Sequence, residues 1–384
     1  MSANRSRYAP GRVRDAIIQV LSPSSEALSV KEIESRVRQM IGSTPTSSVR
    51  SYLRLNTPEV FVREGRGAYR VRQLELRGAE SGVEDFGDWQ APFRIGKAII
   101  HHANCFDWLE TQPERSIHGV VTDPPYGLHE YTAEQQTKLR NGKGGTWRIP
   151  PSFDGHLRSP LPRFTTLTTD QLSELRDFFF LWARLLISRL VPGAHVVVAS
   201  NPLLSYIVSG ALADAGLERR GELIRLVMTL RGGDRPKAAH EEFAEVSVMP
   251  RSMWEPWLIY RKPLEGRVQD SLRKWGTGGF RRPSEDRPFG DVIRSAPTRK
   301  REREIASHPS LKPQAFMREL VRAVLPLGEG VVLDPFAGAG STLAAAEALG
   351  YRSTGVEKDA LYFRMACEAI PRLAAVDIED QPLR

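Results

Sequence analysis

The stretch Val120–Tyr126 reads VVTDPPY, in which three β-branched residues lead directly into an aspartate, two prolines and a tyrosine. A short apolar, β-branched run of this kind is typical of a buried strand. Two consecutive prolines fix the backbone φ angle and remove two N–H donors, so the chain after the strand is stiff and extended. The sequence therefore predicts that Asp123 is presented in a fixed direction at the end of a strand.

The residues of this motif suit the recognition of an amine on a flat ring. The carboxylate of Asp123 and a backbone carbonyl beside Pro124 and Pro125 can accept two N–H groups, while the ring of Tyr126 can stack on a base. The alternative is a strand that ends in an ordinary proline turn, which would tolerate almost any residue at positions 123 and 126. Together with the motif described next, the sequence favours a pocket for an exocyclic amine.

A second motif lies at residues 331–359, VVLDPFAGAGSTLAAAEALGYRSTGVEKD. An apolar strand ends in Asp334, a glycine turn leads into an alanine-rich helix, and Glu357 stands at the end of the next strand. This layout is typical of a nucleoside ligand bound at the carboxyl edge of a parallel sheet. Leu343 occupies the third glycine position of a dinucleotide fingerprint, and no lysine precedes Ser341 as in a phosphate-binding P-loop. Both of those sites therefore fit poorly.

The arrangement of segments predicts an α/β domain over residues 97–384. Strand-like and helix-like segments alternate there, which favours a mostly parallel sheet with helices on both faces. A polar insertion rich in glycine and proline interrupts this pattern at residues 127–168. Residues 76–96 are acidic, glycine-rich and without periodicity, and we interpret them as a linker.

Residues 1–75 predict a separate small domain with three helices followed by a hairpin. The second helix is expected to begin at Ser29, because Ser29 and Glu32 stand in capping-box register. This order resembles a winged helix-turn-helix, in which the third helix enters the major groove and the wing contacts the backbone. The alternative is a small protein–protein interaction module.

Basic residues in this domain favour contact with DNA. Arg50 and Arg54 face outward on the predicted third helix, and Arg66 lies in the turn of the hairpin. The net charge of the chain is +8, with 14 Lys+Arg against 8 Asp+Glu in residues 1–80 and 13 against 6 in residues 261–303. Such basic blocks suggest a polyanionic partner. The alternative is that they are solvated, arginine-rich surfaces.

Several other features place the chain outside membrane, secreted and metal-dependent classes. The longest apolar stretch, residues 178–191, contains two arginines and is too short to span a bilayer, and no apolar leader precedes the first domain. Cys105 and Cys367 form neither a disulfide framework nor a zinc spacing, and the scattered histidines show no ligand spacing. We therefore expect a cytoplasmic protein without a metal, in which Cys105 is a small buried residue.

Taken together, DPPY at residues 123–126 and DPFAGAG at 334–340 resemble the amino-group DNA methyltransferases that use S-adenosylmethionine. The catalytic motif precedes the cofactor motif, which resembles the permuted β group of that family. The resemblance covers residues 97–372 and implies a Rossmann-like methyltransferase sheet. Release-factor glutamine methyltransferases carry a related Asn-Pro-Pro-Tyr motif, but they place the cofactor loop before it.

The resemblance implies roles for individual residues. Lys312 would lie near the cofactor carboxylate, Glu357 would hold the ribose hydroxyls, and Asn104, where the family usually has an aspartate, would accept from the cofactor's adenine amine. The catalytic pocket would consist of Asp123, Pro124, Pro125 and Tyr126. The remaining cofactor contacts would come from the strand end and glycine turn, namely Asp334, Pro335, Phe336, Gly338, Gly340, Ser341 and Thr342.

Target recognition would fall on the basic segment 261–307, where the family places it. The stretch RKWGTGGFRRP mixes basic and aromatic residues suited to phosphates and unstacked bases, so Arg273, Lys274, Arg281 and Arg282 are predicted to bind DNA. The implied reaction is methyl transfer to the exocyclic amine of a base flipped from double-stranded DNA.

Adenine N6 is the favoured target, because an aspartate at the first motif position resembles the adenine enzymes more often than the cytosine-N4 enzymes. The alternatives are cytosine N4, an RNA substrate, and a DNA-binding protein that only senses S-adenosylmethionine. A homodimer and partner restriction or defence proteins are further expectations.

Overall fold

The structure is a computed structural model that describes residues 16–17, 20–21, 27–42, 49–50, 53, 57, 61–64, 67–71, 92–128, 167–227, 235–236 and 239–378. The chain divides into two compact units, Met1–Glu84 and Asp85–Arg384. The division falls within the predicted linker, 76–96, and each unit is described by itself.

The first unit contains a small antiparallel sheet and a capped helix. Its elements are β1 (Leu28–Ser29), α1 (Val30–Ile41), β2 (Phe61–Glu64) and β3 (Ala68–Val71), with strand order β1-β3-β2. The predicted capping box is confirmed, because Ser29 Oγ accepts from Glu32 N and the Glu32 carboxylate accepts from Ser29 N. Helical residues pack on the sheet through a core that includes Ile17, Ile33, Leu53 and Phe61. The winged-helix assignment stays a prediction.

The second unit alternates strands and helices around one nine-stranded sheet. Its strands are β4 (Phe93–Ile95), β5 (Ala98–His102), β6 (Ile117–Thr122), β7 (Leu190–Ala199), β8 (Glu218–Leu226), β9 (Trp254–Arg261), β10 (Val292–Arg294), β11 (Val331–Asp334) and β12 (Arg352–Glu357). Its helices are α2 (Cys105–Thr111), α3 (Thr169–Arg189), α4 (Ser205–Asp214), α5 (Val268–Trp275), α6 (Lys300–Ile305), α7 (Gln314–Val324), α8 (Ser341–Ala348) and α9 (Ala360–Ala374). Within the described part of the chain, none of the helices combines the length and apolar character that a membrane span requires.

The sheet has the order β10-β8-β9-β7-β6-β11-β12-β5-β4 and is mostly parallel. The central strands β7, β6, β11, β12 and β5 run parallel, whereas β9 and the edge strand β4 are antiparallel to their neighbours. From β6 the chain passes through α3 to β7 on one side, and from β11 it passes through α8 to β12 on the other. The carboxyl ends of β6 and β11 therefore flank a crevice of the kind that binds ligands in open α/β sheets.

Helices cover both faces of the sheet, as predicted. Side chains alternate along β7, so that Val196 and Val198 join the core around Trp182 of α3, whereas Val197 and Ala199 join the core around Phe316 of α7. All of these side chains are buried. The two apolar layers hold the strands so that their carboxyl ends form one fixed edge.

One arginine fixes the end of the last helix. Arg318 Nη2 donates to the carbonyl oxygens of Leu373 at 3.3 Å, Ala374 at 2.9 Å and Val376 at 2.8 Å. We expect Arg318→Met to lower the free energy of unfolding by about 1–3 kcal/mol, because it leaves these carbonyls without their charged donor. Thermal melting compared with Arg372→Met, an exposed arginine in the last turn of α9, checks this. Equal melting temperatures for the two variants would contradict it.

Candidate active site

The pairing of β6 with β11 brings the two sequence motifs together. The strands are parallel, and Val120 lies opposite Leu333. Both strands therefore end at the same edge, where Thr122 Oγ1 donates to Asp334 Oδ1 at 2.7 Å. This buried bond joins the residue before Asp123 to the residue that opens the glycine turn.

The glycine turn is fixed by backbone donors that point at two carboxylates. Phe336 N donates to Asp334 Oδ1 at 3.2 Å, and Gly338 N donates to Glu357 Oε2 at 2.8 Å. Asp359 N donates to the other Glu357 oxygen, also at 2.8 Å. Burial raises the pKa of Asp334 to about 6 and also raises the pKa of Glu357. The turn is thus connected to the ends of β11 and β12.

Both glycines of the turn have left-handed backbone conformations, with φ of +50° at Gly338 and +80° at Gly340. A Cβ atom at Gly340 would lie 2.5 Å from Ile370 Cγ1 of α9. A glycine is therefore required at position 340 both for its conformation and for the close approach of α9.

Two other predicted cofactor residues, Phe336 and Asn104, also lie at this edge. Phe336 is partly buried and packs on α3, with ring centroids 6.0 Å from Phe178 and 5.8 Å from Trp182. Asn104 begins α2 and accepts from Phe106 N at 2.9 Å, directly after β5, which pairs with β12. These side chains could line a bound nucleoside.

The next two residues of the motif connect the turn to other elements. Ser341 accepts a bond from Gln314 Nε2 through its carbonyl, at 3.0 Å, and Thr342 Oγ1 donates to Val121 O at 3.3 Å. Pro335 is buried between Asp334 and Phe336. In this structure these residues position the turn.

Asp123 lies at the mouth of the crevice with one oxygen occupied and one free. Its Oδ2 is 2.9 Å from Lys312 Nζ. Its Oδ1 is buried and has no hydrogen-bond partner among the described residues. Pro124, which follows, is buried, whereas Pro125 is exposed. A buried acceptor without a partner is costly in a folded protein, and it marks the place where a polar ligand group would be bound.

A buried acid on β9, which we did not predict from the sequence, completes the pocket. Glu255 Oε1 accepts from Tyr126 Oη at 2.6 Å and from Lys312 Nζ at 2.8 Å. Its Oε2 accepts from Arg225 Nη1 at 3.0 Å and from Trp257 Nε1 at 3.3 Å. The sequence signal that could have revealed Glu255 is an acid within the otherwise apolar strand WEPWLIY. Arg225 lies opposite Glu255 on β8.

These charges determine one another's ionisation. Burial raises the pKa of Asp123, and the Lys312 ammonium opposes that rise. Burial also acts to raise the pKa of Glu255, but Lys312 and Arg225 outweigh it and lower the pKa to about 2. The two carboxylates raise the pKa of Lys312 although burial alone would lower it. The pocket therefore balances two anions with two cations, and burial keeps Tyr126 protonated by raising its pKa well above the usual value.

The structure places Lys312 within the pocket of the DPPY motif. Its ammonium lies between Asp123 and Glu255, and the residue is 7% exposed. The nearness of Lys312 to the cofactor carboxylate, which the resemblance implied, stays a prediction. The two carboxylates of the chain itself attract the ammonium into the pocket.

The predicted DNA-binding residues of the segment 261–307 lie at the opposite edge of the sheet from Asp123. Thr277 Oγ1 donates to Pro192 O, at the start of β7, at 2.6 Å. Arg281 Nη1 donates to Tyr351 Oη, just before β12, at 2.7 Å. Since a strand of six residues is roughly 20 Å long, this edge is far from the pocket. Arg273, Lys274, Arg281 and Arg282 therefore lie away from the Asp123 pocket, and their binding to DNA stays a prediction.

The second half of that segment does return to the pocket edge. Strand β10 runs parallel to β8, and the chain after it brings Ser295 Oγ to 3.0 Å from Arg225 Nε. Arg294, Arg299 and Lys300 are exposed here. Position in the sheet, and not charge alone, decides which basic residues face the crevice.

Three predictions fall wholly or partly outside the described residues. Arg54, Arg66 and all but the ends of the insertion 127–168 are not described. Arg50 is described, and its Nε lies 2.9 Å from Glu34 Oε1, with the Arg50 side chain 63% exposed. Its contact with DNA stays a prediction.

Other reactive side chains are accounted for by burial. Cys105 is buried, and burial raises its pKa to about 12, which makes it a poor nucleophile. Within the described ranges, no group of three or more His, Cys, Asp or Glu side chains could hold a metal ion.

Comparison with known proteins identifies a family match in the second unit. Residues 227–368 match the N6_N4_Mtase family of DNA methylases. The matched region contains Glu255, Lys312 and the glycine motif, and it begins after the DPPY motif.

Relatives match over a larger part of the chain. The type II methyltransferase M2.DpnII of Streptococcus pneumoniae is 22% identical over 275 residues, 71% of this chain and 90% of the relative. The type II methyltransferase M.HindIII of Haemophilus influenzae is 23% identical over 286 residues, 68% and 91% of the two chains. Among solved structures, TTHA0409 from Thermus thermophilus, complexed with S-adenosyl-L-methionine, is 23% identical with a TM-score of 0.47, covering 72% of this chain and 94% of that one. The cytosine-N4-specific PvuII DNA methyltransferase is 13% identical with a TM-score of 0.49, covering 76% and 91%.

The glycine turn generates a stability prediction. Gly340→Ala places a Cβ against Ile370 in a left-handed conformation, so we expect the free energy of unfolding to fall by about 2–4 kcal/mol. Gly210→Ala, in helix α4 with open space around its Cβ, is the matched control and should be neutral or stabilising by about 0.5–1 kcal/mol. Thermal melting checks both, and equal effects would show that the turn is not sterically constrained.

The raised pKa of Asp334 generates a pH prediction. The folded state binds a proton at this carboxyl up to about pH 6, whereas the unfolded state releases it near pH 4, so stability is lost as the pH rises through this window. Asp334→Asn keeps the acceptor oxygen and removes the ionisation. We expect the variant to match the wild type near pH 4 and to be more stable by about 3 kcal/mol near pH 8. Denaturant unfolding at several pH values, with Asp214→Asn at the exposed end of α4 as control, checks this. A stability difference that does not change with pH would contradict it.

Proposed function

We infer that this chain, which matches the N6_N4_Mtase family of DNA methylases over residues 227–368, is an S-adenosylmethionine-dependent DNA amino-methyltransferase. It transfers a methyl group to an exocyclic amine of a base in DNA. The family match and the relatives named as type II methyltransferases support this activity. The observation that carries the proposal is the juxtaposition of a glycine turn with a buried carboxylate oxygen that has no partner among the described residues, at one edge of a parallel sheet.

The residues at this edge fit the cofactor. S-Adenosylmethionine supplies an electrophilic methyl group on a sulfonium. Each oxygen of Glu357 accepts one backbone N–H and keeps a second lone pair for a ribose hydroxyl. Phe336 offers an apolar wall, the glycines at 338 and 340 allow close approach of the backbone, and Asn104 offers a side-chain amide for the adenine. The carboxylate of Asp334 fixes the glycine turn through its hydrogen bond from Phe336 N.

Asp123 is proposed to bind and activate the target amine. The lone pair of an exocyclic nitrogen is delocalised into the base, which makes the nitrogen a poor nucleophile. Hydrogen bonds from the amine to Asp123 Oδ1 and to the Pro124 carbonyl draw the nitrogen toward tetrahedral geometry. The carboxylate then stabilises the positive charge that develops on nitrogen, and fixed positioning supplies much of the rate. Tyr126, fixed through its hydroxyl by Glu255, provides the face on which the base stacks.

The base must leave the duplex to reach this pocket, because its amine is paired within the helix. We propose adenine N6 as the target, because the motif begins with Asp123 rather than serine, with cytosine N4 as the alternative. A protein that only senses the cofactor needs the glycine turn but has no use for a buried acceptor prepared for an amine. The orphaned oxygen of Asp123 therefore favours catalysis over sensing.

The proposed DNA surface is the pocket edge of the sheet. The exposed residues Arg294, Arg299 and Lys300 are suited to phosphate contacts there. A homodimer, a partner restriction or defence protein and a cytoplasmic location accompany this proposal as predictions from the sequence. Sedimentation of the purified protein with and without duplex DNA would test the dimer.

Nucleoside mass spectrometry tests the proposed activity. We expect DNA from cells expressing the wild type to contain N6-methyladenine, and Asp123→Asn to reduce it by about two or more orders of magnitude, since the amine loses its charged acceptor. Asp214→Asn, which changes an exposed acid at the far end of α4, should methylate as the wild type does.

The products distinguish the alternatives. N4-methylcytosine in place of N6-methyladenine would keep the enzyme and correct the base. If the wild type leaves DNA unmethylated while it binds S-adenosylmethionine in calorimetry, the sensor takes precedence. Methylation of RNA alone would overturn the DNA substrate.

A further inference from the structure

We propose that Glu255 is a positioning residue for methyl transfer, which acts through Lys312 and Tyr126 so that Asp123 Oδ1 is the oxygen left to receive the target amine. This inference rests on the proposed function and deepens it. It concerns a residue that is linked to Asp123 through Lys312.

Glu255 is rigid because both of its oxygens are occupied. On one side, Oε2 accepts from Arg225 and from Trp257. Arg225 is itself fixed, since it donates to Ser295 Oγ at 3.0 Å and to Ala296 O at 3.2 Å and lies 5.1 Å from the centre of the Phe316 ring. The carboxylate is thus held by two adjacent strands and by the chain that follows β10.

The other oxygen of Glu255 determines the position of two pocket residues. Tyr126 Oη and Lys312 Nζ both donate to Oε1, at 2.6 and 2.8 Å. The Lys312 ammonium also lies 2.9 Å from Asp123 Oδ2. Lys312 therefore bridges the two acids and occupies Oδ2, whereas Oδ1 has no partner within the described part of the chain and is left to receive an amine. Without Glu255, neither the stacking ring nor the bridging ammonium would have a fixed partner on this side.

The charges show how each partner affects Asp123. Lys312 lowers the pKa of Asp123 and Glu255 raises it, while burial also raises it. Glu255 and Asp123 together raise the pKa of Lys312, whereas burial and Arg225 lower it. Two other titratable groups face this set from neighbouring elements. Asp334 lies near enough to Asp123 for mutual repulsion, and the charge of Lys312 adds to burial in lowering the pKa of His308 to about 4.

The test is the pH dependence of the single-turnover rate of the full chain with duplex DNA and S-adenosylmethionine. Both Glu255→Gln and Lys312→Met should reduce the rate at its optimum by roughly tenfold or more, because pocket geometry is lost. The acidic limb of the pH–rate profile should shift in opposite directions in the two variants. It should move to lower pH in Glu255→Gln, which removes a neighbouring anion, and to higher pH in Lys312→Met, which removes a neighbouring cation.

Glu218→Gln provides a matched control. Glu218 pairs with the buried Arg261 at 2.6 Å, also between β8 and β9, but at the opposite edge of the sheet. Its loss therefore removes an equivalent Glu–Arg pair without changing the pocket. The rate and the pH profile of this variant should match those of the wild type.

The outcomes separate this inference from the proposed function. If the wild type methylates no nucleic acid, the proposed function fails and the inference fails with it. If the wild type methylates DNA while Glu255→Gln behaves as Glu218→Gln does, only the positioning role is overturned. Should Glu255→Gln fail to fold, Lys312→Arg provides the decisive comparison. If the acidic limb of its pH–rate profile matches the wild type and differs from that of Lys312→Met, the Lys312 bridge between Asp123 and Glu255 is supported. If its acidic limb coincides with that of Lys312→Met, the bridge is overturned.

Discussion

The parallel pairing of β6 with β11 is the constraint on which the rest of the site depends. Two strands that are neighbours and parallel must end at one edge, so Asp123 and the glycine turn meet although they lie far apart in the sequence. The buried hydrogen bond from Thr122 to Asp334 fixes the position of Asp123 relative to the glycine turn. The same geometry results whichever of the two motifs comes first in the chain. A permuted order therefore leaves the pocket unchanged, provided that the connections from β6 and β11 leave in opposite directions.

Four largely buried carboxylates lie at this edge, and three of them, Asp334, Glu255 and Asp123, are stabilised in different ways. Asp334 accepts from a hydroxyl and a backbone amide, and its pKa of about 6 shows that ionisation is only partly compensated. Glu255 is fully ionised because two cations surround it. Asp123 has one cation at Oδ2, while its buried Oδ1 has no hydrogen-bond partner among the described residues. That oxygen is therefore suited to accept a hydrogen bond from a ligand.

Sequence reasoning succeeded where the cause is local and failed where it is not. The alternation of strands and helices predicted the mostly parallel sheet, and the glycines at 338 and 340 predicted the tight turn after β11. Glu255 was missed because its partners Arg225 and Lys312 lie 30 and 57 residues away, and no local pattern records such a pair. The contacts of Lys312 with Asp123 and Glu255 could not be read from the sequence either, because the three residues come from separate segments of the chain. The basic segment was recognised as charged, but charge does not indicate which edge of a sheet a residue occupies.

The two edges of the sheet therefore have separate roles. At the amino edge, Arg281 and Thr277 make hydrogen bonds to neighbouring elements, and these bonds fix the ends of the strands. At the carboxyl edge, the chain after β10 contributes exposed cations beyond Ser295, which is itself bonded to the Arg225 that holds Glu255. A duplex that approaches this edge would thus meet its phosphate contacts on a segment tied to the catalytic pocket. Under the proposed function, the buried Arg225 would link the segment that meets the phosphates to the acid that positions Tyr126 and Lys312.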